Sequence, residues 1–333
     1  MQHVTHKAAL ALTTVGTLLL GPLASAAAQT DYPSKPVSIV VSFSPGGSTD
    51  IIARKLAQQL SLHYARSFVV ENKPGAGGNI GTSYVARAKS DGYTLLLGTV
   101  ASHGVVPNLY RKIPYDPIGD FTPIAMLSAS PQIVVVHPDS SIKNVKDLVE
   151  YAKSHKDNMT FASSGIGTTI HLSGEVFNLM AGTSMQHIPF QGSGPAVNAL
   201  MGKHVNVMFD DLPSSNSHVE VGTLTALAVT GPKRSELFPD LPTLSEAGKD
   251  YGLEGFDVSA WFFLAAPKDL PSDIADSLNV AVNKILQEPD MVAFIKSIGG
   301  NPLPGNRAYA ADYTQAEQKK WADVIKKSGI PLQ

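Results

Sequence analysis

Phe43-Ser44-Pro45-Gly46-Gly47-Ser48-Thr49-Asp50 decides how this chain is read. It follows an apolar, β-branched run, Val37 to Val41, and precedes a helical pattern from Ile51 to Leu62. A strand, a glycine turn and a helix start leave the first backbone N–H groups of the helix without partners, and those groups favour an anion. A related arrangement returns 118 residues later as Phe161-Ala162-Ser163-Ser164-Gly165-Ile166-Gly167-Thr168-Thr169, again before a helical pattern. A second pair lies at nearly the same offset: Pro74-Gly75-Ala76-Gly77-Gly78-Asn79 and Gln191-Gly192-Ser193-Gly194-Pro195. The spacing predicts two similar α/β lobes, each offering two glycine-rich helix starts to a shared cleft.

Outward from the first loop, Val37–Ser42, Phe68–Val70 and Tyr93–Leu97 read as strands separated by helices at Ile51–Leu62 and Gly78–Ala88. That alternation implies parallel strands and right-handed crossovers. Ser48 or Thr49 is the expected cap of the first helix, and Asp50 suits its positive end. Ile124–Leu127 and Ile133–His137 read as two strands broken at Ser130-Pro131, where the chain first crosses between lobes. A capping-box-like start at Asn144 opens a helix. The pattern then repeats: strand 159–162, helix 168–180, strand 185–189, and a helix with Pro195 at its first position. Strands at 205–209 and 224–229 follow, and the chain crosses back between Val229 and Leu264. Three closing helices, the last from Arg307 to Lys326, are expected to pack on the first lobe. The boundaries are 1–28 for a leader, 29–130 plus 255–333 for lobe 1, and 131–254 for lobe 2.

The 333 residues suffice for two domains. Charged residues make up 16% and the net charge is −2, a balance that suggests neither nucleic acid nor an anionic membrane as partner. There is no cysteine, which removes disulfides, thiolate metal sites and thiol nucleophiles. Lys7, the apolar run Ala8–Leu20 and the small residues Ala24–Ala28 have the form of a secretory signal peptide cleaved near Ala26 or Ala28. The run is short for a bilayer span of roughly 20 residues. The mature chain is therefore expected in an exported, soluble form.

Catalytic signatures do not fit. Gly202-Lys203 is followed by His204 and lacks the upstream glycine of a phosphate loop, and Gly165-Ile166-Gly167 lacks the third glycine of a dinucleotide fingerprint. Gly192-Ser193-Gly194 is too short for a nucleophile elbow. The histidines show no metal-ligand spacing, and no cofactor is expected. What remains is a binding constellation of backbone donors and neutral side chains: Ser44, Ser48, Thr49, Asn79, Ser163, Ser164, Thr168 and Ser193. With no Arg or Lys inside the loops, a carboxylate fits better than a phosphate. Phe43 and Phe190 stand at strand ends where they can wall a ligand or cap a core. His103 follows a strand into a loop and is a cleft candidate. Asp210 can receive a ligand ammonium or hydroxyl, or serve as a turn.

The chain resembles the Bug-type periplasmic solute-binding proteins of tripartite tricarboxylate transporters. The resemblance is carried by Tyr32-Pro33-Ser34-Lys35-Pro36, Pro45-Gly46-Gly47, Glu71-Asn72-Lys73-Pro74-Gly75-Ala76-Gly77-Gly78-Asn79-Ile80-Gly81 and Asp91-Gly92-Tyr93-Thr94-Leu95-Leu96. Asp120–Ala125, His171–Glu175, Leu241–Glu246 and Trp261 extend it over essentially the whole mature chain. It implies a two-lobed Venus-flytrap fold, no catalysis, a carboxylate held between the loops Ser44–Thr49 and Ser163–Thr169, and Asp210 near the ligand's far end. The residue reading and the resemblance together give as ligand candidates Phe43, Ser44, Gly46, Gly47, Ser48, Thr49, Asn79, His103, Ser163, Ser164, Gly167, Thr168, Phe190 and Asp210. Ser44, where the family commonly has proline, adds a hydroxyl. The implied partners are a small carboxylate, with an aromatic or dicarboxylic acid favoured, and membrane transporter subunits; the implied state is a monomer. Two alternatives are a co-receptor for a sensor kinase and an exported hydrolase using Ser193.

Overall fold

The computed structural model describes residues 32–156 and 158–328, with Met1 and Leu332 besides. The expected leader and its cleavage sites lie outside the described residues. Residues from Tyr32 onward form one compact unit.

The first half has the predicted alternation. Strand β1 (Val37–Val41) lies between β2 (Phe68–Asn72) and β3 (Thr94–Thr99), all parallel. Helix α1 (Ser48–Tyr64) and helix α2 (Asn79–Ala86) make the two crossovers. Four of the five β1 residues are buried, as a strand covered on both faces requires. After β3 the chain makes a π turn at Ala101–Val105 and a short helix α3 (Val106–Leu109).

Strand β4 (Phe121–Val136) departs from the expectation of two strands broken at Ser130-Pro131. It runs unbroken for 16 residues and exchanges partners instead. Residues Phe121–Pro131 pair with the antiparallel strand β9 (Ser259–Pro267). Residues Gln132–Val136 pair with β7 (Val207–Asp211), and Ile133–Val136 also with β8 (Thr225–Val229). Pro131, which has no N–H to donate, sits at the exchange, where a missing ladder bond costs least. The turn-like sequence marks a change of partner, not the end of a strand.

The second half repeats the first. Helix α4 (Val145–Ser154) starts at Asn144, whose side chain accepts the Asp147 N–H. Then β5 (Thr160–Ser163) lies between β6 (Gln186–Pro189) and β7, all parallel, with helix α5 (Thr169–Ala181) and helix α6 (Ser193–Met201) as crossovers. In each half the first strand is central, and the third turns its far edge to an antiparallel neighbour: β3 to β9 and β7 to β4. Pro195 falls at the third position of α6 rather than the first, a position whose N–H is also unpaired by helix geometry. Helix α7 (Leu212–Glu220) follows β7, and helix α8 (Leu244–Ala247) opens with a complete capping box from Thr243 and Glu246.

Strand β9 brings the chain back to β3, followed by α9 (Ser272–Gln287), α10 (Pro289–Ser297), the two-residue β10 (Asn301–Pro302) on β4, and α11 (Arg307–Ser328). The full strand order is β2-β1-β3-β9-β4-β7-β5-β6. Helix α11 anchors through Trp321, buried beside Gly104, and through Glu317, whose carboxylate accepts the Trp261 indole N–H at 2.9 Å. No helix among the described residues is long and apolar enough to cross a membrane. The result is a two-lobed α/β fold joined through a shared central strand.

Candidate functional site

The first glycine loop is built around Asp50. Its Oδ2 accepts the Gly46 N–H at 3.0 Å and Arg54 Nε at 2.8 Å, and its Oδ1 accepts Asn72 Nδ2 at 2.9 Å. Asn72 also donates to Phe43 O at 3.0 Å. Burial alone would raise the Asp50 carboxyl, but these hydrogen bonds and the Arg54 charge bring it below the usual carboxylate range. Gly47, not Ser48 or Thr49, occupies the N-cap position, and no side chain caps the helix. The leading N–H groups of α1 therefore stay open toward the cleft.

The second loop is held differently. The Thr168 hydroxyl caps α5 by accepting the His171 N–H at 3.3 Å, and it donates to Gly165 O at 2.7 Å. Ser163 Oγ accepts the Gly165 N–H at 3.1 Å and pairs with His187 Nε2 at 2.5 Å. His171 Nδ1 accepts the Gly167 N–H at 3.3 Å, which places the ring proton on Nε2, 3.6 Å from Glu175 Oε1. Burial lowers His171 to about 4, and burial with the neighbouring His171 lowers His187 to about 3. Both imidazoles are thus neutral scaffolding behind the loop. Replacing Thr168 by alanine is expected to cost about 1 kcal/mol of stability, read as a lower midpoint in thermal unfolding with ligand absent.

The four glycine loops meet crosswise. Ser44 N–H donates to Gln191 O at 2.9 Å, and an added Cβ on Gly194 would lie 2.7 Å from Pro45 O. An added Cβ on Gly77 would lie 2.1 Å from Ile166 O, which also accepts the Tyr110 hydroxyl at 3.1 Å. The first loop of one half therefore rests on the second loop of the other. Ser48 Oγ adds a bond to Ser214 Oγ at 3.0 Å.

Between these contacts lies a cavity of about 20 Å³, room for roughly one water. Its wall includes Phe43, Gly47, Ser48 and Thr49 from the first loop, Ser164, Thr168 and Thr169 from the second, and Ser193 from the start of α6. Three helix N-termini converge there, each the equivalent of roughly half a positive charge. Thr99, Val100 and Ala101 close one end, and Ala260, Trp261 and Phe262 of β9 another. Among the described residues, Asp211 is the one charged residue on the wall.

Seven of the sequence candidates reach the cavity: Phe43, Gly47, Ser48, Thr49, Ser164, Thr168 and Ser193. Ser44 and Gly46 line a separate groove at the rim with Gly194 and Pro195. Ser163 and Gly167 shape the second loop from behind through the bonds above. Phe190 packs against the second half's core, its N–H on Ser163 O at 2.9 Å. Asn79 is buried and accepts the Tyr115 hydroxyl at 3.2 Å. His103 is not on the cavity wall. It is 1% exposed, with Phe121 and Phe263 ring centroids at 4.8 and 4.6 Å and Ser102 Oγ at 2.8 Å from Nδ1. Its position in the π turn rolls the ring inward to the core.

Asp210 is fully buried behind the wall, its Oδ2 bonded by the Ser214 and Ser215 hydroxyls, the latter at 2.6 Å. Burial raises its carboxyl, opposed by those hydroxyls and that of Ser193. Asp211 takes the cavity side. Gln132 Nε2 donates to its Oδ1 at 2.9 Å, while Gln132 Oε1 accepts the Ser173 hydroxyl, so the amide is fixed as a donor toward Asp211. Burial, then the neighbouring Asp210, raises Asp211 to about 7.

A closed two-lobed cleft lined by helix N-termini defines a solute-binding protein. Residues 52–330 match the tripartite tricarboxylate transporter family receptor, and the chain belongs to that family. Protein BugT of Bordetella pertussis is 34% identical over 302 residues, covering 90% of this chain and 91% of that one. Among solved structures, an R. palustris protein with adipate is 36% identical with a TM-score of 0.86, covering 90% of this chain and 99% of that chain. MatC from Rhodopseudomonas palustris with bound malate is 31% identical with a TM-score of 0.83, covering 88% and 100%.

Proposed function

We propose that this chain is a periplasmic receptor that captures a small carboxylate and delivers it to a tripartite tricarboxylate transporter, without catalysing a reaction. The observation that carries this reading is the convergence of the α1, α5 and α6 N-termini on one cavity whose wall bears no Lys or Arg. Open backbone donors and hydroxyls bind a carboxylate by geometry and partial charge. The adipate- and malate-bound relatives support a ligand of that class. Phe43, Trp261 and Phe262 on the wall favour an acid with an apolar or aromatic body. A cavity of about 20 Å³ admits no such acid, so the lobes part to load, and the loaded cleft is wider than this one.

Lobe 1 comprises residues 29–130 and 255–333, and lobe 2 residues 131–254; the partner exchange of β4 at Pro131 and the return through β9 support this division. The remaining cleft candidates act as rim or support: Ser44 and Gly46 at the edge, Ser163, Gly167 and Asn79 behind the loops. The exported chain begins near Ala26 or Ala28 and works as a monomer. A serine hydrolase centred on Ser193 is disfavoured because no histidine lines the cavity with it.

Native mass spectrometry of the protein before and after denaturing and refolding tests the reading. A small acid lost on refolding is the expected result, and re-addition at 100 times its Kd should stabilise by about 2.7 kcal/mol in thermal unfolding. Failure of every acid in a carboxylate panel to shift the refolded protein would overturn it.

A further inference from the structure

Resting on the receptor reading, Asp211 is the feature that reading does not use. The other polar groups on the cavity wall are hydroxyls: Ser48, Thr49, Thr99, Ser164, Thr168, Thr169 and Ser193. These and the open helix N–H groups serve a ligand carboxylate. Into the same space the end of β7 brings an acidic side chain, with Asp210 beside it. Two buried acids beside a site for a third carboxylate would be repulsive unless something offsets them.

The Asp211 environment decides what offsets it. Gln132 is fully buried, and its amide is locked by Ser173 into donating to Asp211 Oδ1. Burial and Asp210 push the Asp211 carboxyl up, and the Gln132 donor works against them by holding the group as an acceptor. Gln132 bonds only Oδ1, and Asp211 is one of the residues on the cavity wall. No cationic side chain shares the wall to neutralise it. The site thus offers many donors and one strong acceptor. We propose that Asp211 is the specificity-determining residue of the cleft: its carboxylate receives a hydrogen-bond donor, an ammonium or a hydroxyl, that the ligand carries in addition to the carboxylate held by the helix N-termini. The site therefore selects amino or hydroxy acids over the plain acids of the same skeleton.

The charges agree with this assignment. Three helix N-termini together amount to roughly one and a half positive charges, enough for one ligand carboxylate but not also for Asp211. A ligand ammonium restores the balance outright, and a hydroxyl supplies the missing donor without charge. The competing arrangement has Asp211 carrying the proton itself and donating to a second ligand carboxylate, and it predicts the opposite preference.

The test is isothermal titration of refolded protein with two matched triplets: succinate, malate and aspartate, and glutarate, 2-hydroxyglutarate and glutamate. The expected result is tighter binding of the donor-bearing members than of the plain diacid, by about tenfold to a hundredfold. Aspartate against malate, and glutamate against 2-hydroxyglutarate, then tells ammonium from hydroxyl. Asp211→Asn should compress that preference at least about tenfold by weakening the donor-bearing ligands. If the variant fails to fold, wild-type titrations from pH 8 to 5 serve instead. Asp210 on β7 is the other titratable neighbour, Gln132, Ser48 and Ser214 being neutral, and the preference should shrink as Asp211 takes up its proton. Equal binding of all members, unchanged by Asp211→Asn, or a preference for succinate and glutarate overturns this proposal and leaves the receptor reading intact. Binding of no acid in either triplet overturns this proposal, and the receptor reading falls with it only if the wider carboxylate panel fails too.

Discussion

Replacing Gly194 by alanine is expected to weaken ligand binding by about tenfold to a hundredfold while leaving thermal stability unchanged or slightly raised. Gly194 lies in the first turn of α6 with ordinary helical backbone, so alanine is not strained there and is the better helix former. Its added Cβ would lie 2.7 Å from Pro45 O, on the facing loop of the other half. That atom is backbone, held in a loop tied down by Asp50, and cannot swing aside. The clash exists only when the halves are shut, and overpacking of this kind costs about 1–3 kcal/mol. Apparent affinity falls with the fraction of molecules able to close. Gly77→Ala provides the contrast. It also meets the opposite half, at Ile166 O, but its backbone is left-handed at φ 62°, so it should lose stability as well as affinity. Calorimetric titration with small-angle scattering separates the two. Wild-type affinity in Gly194→Ala would show that closure does not depend on this contact.

The second large effect concerns acid. His103, His171 and His187 are buried and neutral, lowered by desolvation to about 3, 4 and 3. An imidazole in the unfolded chain binds its proton near pH 6.5. Each therefore contributes stability that is fully present above 6.5 and is lost as pH falls toward the folded value. Asp210 and Asp211 act in the opposite direction, since their folded pKa values are raised; they favour folding most at low pH. Glu175 is raised by burial as well, so raised carboxylates oppose the histidines over the same interval, between pH 6.5 and 4. His103 isolates the effect because it lies off the cavity wall and is 1% exposed. His103→Phe should flatten the fall in unfolding free energy across that interval by a few kcal/mol, measured by urea unfolding at pH 7 and pH 4.5. An unchanged slope would show that His103 is charged or exposed in the folded chain.

Where a feature was local, the sequence disclosed it. Phe43, Gly47, Ser48, Thr49, Ser164 and Thr168 belong to strand–turn–helix segments whose role depends on neighbours a few residues away. The repeat of parallel strands joined by helices followed from the same local signals, while the central place of each first strand did not. Thr99, Val100 and Ala101 were missed because the turn after β3 tightens into a π turn, which no composition signal marks. Ala260 to Phe262 reach the site on a strand that pairs with residues well over a hundred positions earlier, a contact set by topology alone. At Asp210-Asp211, alternation correctly places the two side chains on different faces. Which face meets the cleft depends on how β7 docks on β4, and that choice turned the cavity over to Asp211. His103, read as a cleft candidate because it follows a strand into a loop, is carried inward by the π turn against two phenylalanines.

The single strand β4 has a consequence for how such a receptor can be taken apart. A hinge made of flexible linkers would allow either half to be expressed alone or exchanged between relatives like a module. Here the chain that ends the ladder of one half begins the ladder of the other, without a residue between Pro131 and Gln132 to cut at. Either fragment would carry away an edge the other needs, and each would display a bare strand open to aggregation. A chimaera therefore has to keep β4 and β9 whole and from one parent. Recombination of ligand preferences should succeed at the glycine loops and at the end of β7, and fail at the boundary that outwardly divides the molecule.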